Sequence, residues 1–137
     1  MTPEKFEKNF DGWNTQKRSL DALETVPDFK AREVWWCSIG ANIGSEMCGK
    51  GATFTRPVLI LRKTGPTTFL GVPATTSMTA RFDHFPVRIK GRSGNLRLFG
   101  IRSYDARRLA DRMGRLPEIE FAAVQKAIIE KIFSPPS

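Results

Sequence analysis

Two strand-like runs and the loop between them constrain this chain most. Glu33 to Ile39 (Glu-Val-Trp-Trp-Cys-Ser-Ile) is β-branched and aromatic and stops at Gly40. Pro57 to Leu61 is a second apolar run, with proline at its first residue, where no ladder donor is lost. Between them residues 40–55 carry Gly40, Gly44, Gly49 and Gly51, the mark of a long, mobile loop. A loop of this length inside a compact domain is usually a working part of the molecule. The working surface is therefore expected at its end, Arg56-Pro57.

The pattern continues in short strands. Thr64-Gly65-Pro66 turns the chain into a strand over Thr67–Val72 that ends at Pro73, and Phe85–Lys90 and Leu96–Ile101 flank a turn at Gly91-Arg92-Ser93-Gly94. Asp105–Arg108 reads as a helical turn, and Leu109–Leu116 fits strand or helix. Pro117 suits the start of a final helix whose Phe121, Val124, Ile128 and Ile132 recur at three and four. Ahead of the strands, residues 3–23 set Phe6, Phe10, Trp13 and Leu20 on one helical face, with Gly12 weakening its continuity and Pro27 breaking the pattern. The expectation is an α+β protein, mainly β: a small SH3-like or OB-like barrel over 31–133 with a C-terminal helix, and an N-terminal helical extension over 1–30 that covers an apolar patch.

Composition narrows the function classes. The 137 residues are 40% hydrophobic and 26% charged, and no apolar run approaches the roughly 18 residues of a membrane span. The charged start, MTPEKFEKNFDGW, lacks a signal-peptide core, so a cytoplasmic location is expected, with no membrane partner. Twenty-two Lys and Arg against fourteen Asp and Glu give a net charge of +8, which favours a polyanion or an acidic protein as partner. Two cysteines and one histidine are too few ligands for a zinc site; no metal or other cofactor is expected. Cys37 reads as buried and Cys48 as a bystander in the loop. A single histidine, His84, excludes a two-histidine ribonuclease and argues against a Ser-His-Asp triad. Gly49-Lys50-Gly51-Ala52-Thr53 lacks the GxxxxGK[ST] spacing and precedes a strand rather than a helix, so it is no nucleotide loop.

What remains is a set of polar residues at strand ends. Arg56 stands between the loop and a buried strand; Thr75, Thr76 and Ser77 follow Pro73; Arg102 follows Ile101, with Asp105 one turn on. Two guanidiniums and a hydroxyl meeting at one spot would stabilise a pentacovalent phosphate without a metal. Taken singly, the same residues also read as surface charges and a turn threonine.

Three segments, WWCSIGANIGSEMCGKGATFTRPVLILRK, FLGVPATTS and IRSYDARRLADRMGRL, together resemble the MazF/PemK family of toxin–antitoxin ribonucleases in order and spacing, from about residue 31 to 131. The resemblance implies a homodimeric SH3-like barrel, a metal-independent, sequence-selective endoribonuclease that cuts single-stranded RNA and is neutralised by an acidic cognate antitoxin. Position by position it implies Arg56, Thr75 and Arg102 as catalytic, and Glu46 in the loop near the RNA path. Lys50, Thr76, Ser77 and Asp105 complete the expected RNA-binding set. Members commonly carry glutamine where this chain has Gly100. Two further functions fit the same barrel: a non-enzymatic toxin that poisons DNA gyrase through the end of the C-terminal helix, and a degenerate member that only binds RNA or antitoxin. Of the tryptophans, at least one of Trp35 and Trp36 is expected in the core, the other free to stack a base.

Overall fold

In the computed structural model, residues 7–77 and 79–135 are described. The expected helical residues 3–6, Phe6 among them, and the last two residues of the tail lie outside that range. Among the described residues seven strands follow one helix and precede another: α1 (Phe10–Asp21), β1 (Glu33–Ser38), β2 (Thr55–Lys63), β3 (Thr68–Thr75), β4 (His84–Ile89), β5 (Arg92–Arg97), β6 (Arg102–Asp105), β7 (Leu109–Arg115) and α2 (Glu118–Phe133). Every pairing is antiparallel. The order is β4-β5-β3-β2-β1-β7, with β6 added on β3. The sheet curls into a half-barrel, its first and last strands meeting where Ile89 of β4 and Leu116 beyond β7 share one apolar cluster.

Alternation across β1 and β2 explains why these runs read as continuously apolar. Trp35 and Cys37 pack with Val58 and Ile60 on one face, beside Phe29, Phe69 and Tyr104. Val34 and Leu59 point to the other, where Val72, Leu96 and Leu98 join Phe121 and Val124 of α2. Strands covered on both faces have no polar side to betray their period. Leu109–Arg115 resolves as a strand because β1 needs a partner on its free edge.

Several elements differ from expectation, and β3 runs on through Pro73 to Thr75 instead of ending at the proline. The last strand of the β4–β5 hairpin runs over Arg92–Arg97 rather than Leu96–Ile101, turning at Lys90-Gly91, and Leu98–Gly100 is a 3₁₀ turn. There the Leu98 N–H donates to the Asp83 carbonyl and the Phe99 N–H to the Asp83 carboxylate, which draws the chain off the ladder. Gly12 does not interrupt α1 but sits in its first turn, where its N–H meets the side chain of the cap residue Asn9 at 2.8 Å. The loop 40–55 is hydrogen-bonded to itself: Asn42 Nδ2 donates to the Ile39 and Met47 carbonyls, the Gly49 N–H to the Gly40 carbonyl, and Lys50 and Thr55 exchange a bridge. Among the described residues no helix is long and apolar enough to cross a membrane.

Candidate nucleic-acid site

The site grows from the β2–β3 register. Val58 pairs with Pro73, so two residues nearer the loop Arg56 lies across from Thr75. The Arg56 guanidinium is half-buried and doubly held: Nε–H donates to the Cys48 carbonyl, and Nη1–H reaches Thr75 Oγ1 at 3.4 Å. Burial is the main cause that lowers the Arg56 pKa; the charge of Arg97 adds to it, while Cys48 acts the other way. Thr75 Oγ1 also accepts the Ser77 N–H at 3.2 Å. With both lone pairs engaged, its own hydroxyl proton is left to donate outward. Arg56 and Thr75 thus present an N–H fork and an O–H from a prearranged pair.

The pair sits on the rim of a cleft of about 330 Å³. Lys50 and Thr76 share that rim, and Trp36, Pro57, Ala74 and Leu96 are among the apolar residues below. Trp35 is in the core at 7% exposure, whereas Trp36 turns its ring into this cleft, with the Arg92 guanidinium 5.4 Å from its centroid. Behind Thr75, the buried Asn95 donates from Nδ2 to the Ser77 carbonyl at 3.0 Å, pinning the segment that carries the hydroxyls.

Arg102 does not join this pair. Strand β6 pairs with the first half of β3, Thr68 to Gly71, placing Arg102 opposite Gly71, four residues before Thr75, and its guanidinium lies 5.0 Å over the Tyr104 ring. It lines a neighbouring cleft of about 480 Å³ together with Glu46, Arg97 and Phe99. Glu46 is the one carboxylate along the two clefts among the described residues, and its Oε1 accepts the Ile43 N–H at 2.8 Å. Ser77 is exposed and serves the Thr75 turn. Asp105 is committed elsewhere, capping the Arg107 N–H at 2.8 Å and pairing with the Arg107 guanidinium at 2.9 Å.

The structure adds residues with no local signal in the sequence. Arg97, in the wall of the second cleft, is held by the buried Asp83, Nε to Oδ2 at 3.1 Å. Burial pushes the Asp83 carboxyl up, but bonds from Arg97 and the Phe99 N–H outweigh it and leave the pKa below the ordinary value. Gly100 packs close to Pro73: a Cβ there would stand 2.9 Å from its Cγ, so a glutamine at this position requires the proline to shift. Cys37 is fully buried, and burial pushes its thiol pKa up to about 12, which keeps it protonated and inert.

Comparison with known proteins agrees with this fold. Residues 30–132 match the family model of the PemK-like, MazF-like toxin of type II toxin–antitoxin systems. The fold is similar to that of MazF from Deinococcus radiodurans, with 24% identity, a TM-score of 0.62, and 80% of this chain and 99% of that one covered. It is also similar to a mycobacterial endoribonuclease in complex with its cognate antitoxin (14% identity, TM-score 0.60, 80% and 100% covered). A third likeness is to the Mycobacterium tuberculosis toxin MazF-mt6 (17% identity, TM-score 0.58, 77% and 100% covered). At these identities the structural likeness shows the fold alone. No curated protein sequence matches the chain significantly.

Proposed function

The chain belongs to the PemK-like, MazF-like family of toxins of type II toxin–antitoxin systems, and on that premise we propose that it is a metal-independent endoribonuclease acting on single-stranded RNA. The observation that carries the reading is the Arg56–Thr75 pair, a half-buried guanidinium and a hydroxyl with a spare proton at the rim of a cleft. In the proposed step the ribose 2′-oxygen attacks the adjacent phosphorus while the bond from phosphorus to the 5′-oxygen breaks. The products are a 2′,3′-cyclic phosphate and a free 5′-hydroxyl. Arg56 and Thr75 donate to the phosphate oxygens as charge develops on them. The 2′-hydroxyl proton needs a base, and arginine, which stays protonated, is a poor one; Glu46, in the neighbouring cleft, is the candidate carboxylate. The leaving 5′-oxygen takes up a proton as the bond breaks.

Arg102 and Arg97 place positive charge along the neighbouring cleft, where the strand would continue beyond the scissile phosphate. Arg102 is thereby assigned to neutralising and holding RNA rather than to meeting Arg56 at one atom. Lys50 and Thr76 on the first rim, with Ser77 beside them, contact the strand, and Trp36 is available to an unstacked base. The partners in this reading are a second copy of the chain and a disordered acidic antitoxin segment attracted by the +8 charge. Loss of RNA cleavage in Arg56→Ala and in Thr75→Ala, with folding intact, is the expected result; either variant cutting as fast as wild type overturns the assignment.

One feature favours protein binding instead. The end of α2 exposes Ile129 at 61% and Phe133 at 76%, the kind of surface a gyrase-poisoning toxin of this fold would use. Inhibition of gyrase supercoiling by protein that leaves RNA intact would select that function.

A further inference from the structure

Residues 7–29 precede the stretch that matches the family, yet they are fastened to the loop that holds Arg56. Lys8 Nζ donates to two loop carbonyls, Asn42 at 2.6 Å and Gly44 at 2.8 Å. Trp13, the one buried residue of α1, lays its indole against Gly40, where any Cβ would collide with the ring and φ is +91°. The same indole lies 5.5 Å from the Phe54 ring, and the Arg108 guanidinium stands 5.5 Å from its centroid. The Phe54 carbonyl in turn accepts the N–H groups of Ile39 and Gly40.

From Lys8 the connections run on to Arg56. Asn42, whose carbonyl Lys8 holds, donates its amide to the Met47 carbonyl and its backbone N–H to Cys48 Sγ at 3.2 Å. The Cys48 carbonyl then receives Arg56 Nε–H. A groove of about 600 Å³ follows the seam between α1 and the loop, with Arg56 in its lining. A segment that merely covered apolar surface would touch side chains; this one holds main-chain carbonyls of the loop by a charged donor.

We propose that the N-terminal segment is a positioning brace for the RNA site, Lys8 and Trp13 holding the loop so that the Cys48 carbonyl fixes Arg56 against Thr75. The proposal rests on the endoribonuclease reading, in which Arg56 meets the phosphate. Neither Lys8 nor Trp13 touches the reacting atoms; both act through Arg56. A small displacement of a group aimed at the transition state costs far more in turnover than in binding.

The test uses the full chain as wild type, Lys8→Met, Lys8→Arg and Trp13→Leu. Amide hydrogen exchange over residues 42–50, the thermal midpoint, and kcat and KM on a single-stranded RNA oligonucleotide are measured for each. In Lys8→Met, exchange over 42–50 should rise and kcat fall by at least about tenfold, with KM within about twofold of wild type. Its thermal midpoint should hardly move, and Lys8→Arg, which can still donate to the carbonyls, should recover most of the rate. Trp13→Leu should raise exchange in the same segment. Wild-type exchange and kcat in Lys8→Met would overturn the brace, as would a rate loss that Lys8→Arg fails to recover. If wild type itself cuts no RNA, the endoribonuclease reading fails, and the exchange measurement still decides whether the segment holds the loop.

Discussion

Replacing Arg56 with lysine tests the site more sharply than deleting it, because the charge stays while the fork is lost. Two bonds go: Nε–H to the Cys48 carbonyl and Nη1–H to Thr75 Oγ1 at 3.4 Å. An ammonium can point at the phosphate or at the carbonyl, but it cannot hold both directions at once. Losing one prearranged donor to developing charge costs about 2.7–4 kcal/mol, or roughly 10²–10³ in kcat. The structural penalty is smaller. A hydrogen bond from a charged donor contributes about 1.5–3 kcal/mol, and half-exposure of Arg56 places this one near the low end. The assay is cleavage of a single-stranded RNA oligonucleotide at saturating substrate, run beside thermal unfolding of the same preparations. The kcat of Arg56→Lys should fall by about 10²–10³ with the protein still folded at the assay temperature. A lysine variant that cuts at the wild-type rate would show that point charge suffices and that the fork geometry does no chemistry.

Other outcomes follow from the supporting residues. Asn95→Ala removes the amide that holds the Ser77 carbonyl, so kcat should drop by about tenfold with little change in KM; a pure KM effect on cleavage assays would contradict a positioning role. Asp83 has a folded pKa below its ordinary value. Its contribution to stability is therefore present above the unfolded pKa of about 3.9 and lost as pH falls through the lower, folded value. The unfolding free energy of Asp83→Asn, measured by denaturant titration from neutral to acid pH, should fall less steeply below about pH 4 than that of wild type; an equal slope would contradict the linkage.

Much of the barrel was legible because its information is local. The runs at Glu33–Ile39 and Pro57–Leu61 are apolar on both faces, and Pro117 announces α2 one residue before it begins. The strand over Arg92–Arg97 was misplaced because its end is set by Asp83, which is distant in sequence and takes the N–H groups of Leu98 and Phe99. Arg56 and Thr75 were readable from their places at strand ends, and the β2–β3 register brings them together. The expected meeting with Arg102 failed for a topological reason: β6 pairs with the first half of β3, Thr68 to Gly71, while Thr75 ends the strand. The start of α1 was hidden because the apolar pattern of the sequence begins before it, whereas the side chain of Asn9 caps the helix through the Gly12 N–H. Asn42, Asn95 and the Asp83–Arg97 pair leave no trace in spacing, since each works through partners far along the chain or through loop carbonyls.

The central claim is that this protein cuts RNA by internal attack of a 2′-hydroxyl. The direct measurement is to incubate purified protein, in the presence of a chelator, with a single-stranded RNA oligonucleotide and with its twin bearing one 2′-deoxyribose at the mapped cleavage position. The account predicts 2′,3′-cyclic phosphate and 5′-hydroxyl ends from the first and no cut at that position in the second. Cleavage of the 2′-deoxy substrate at the same bond would contradict it.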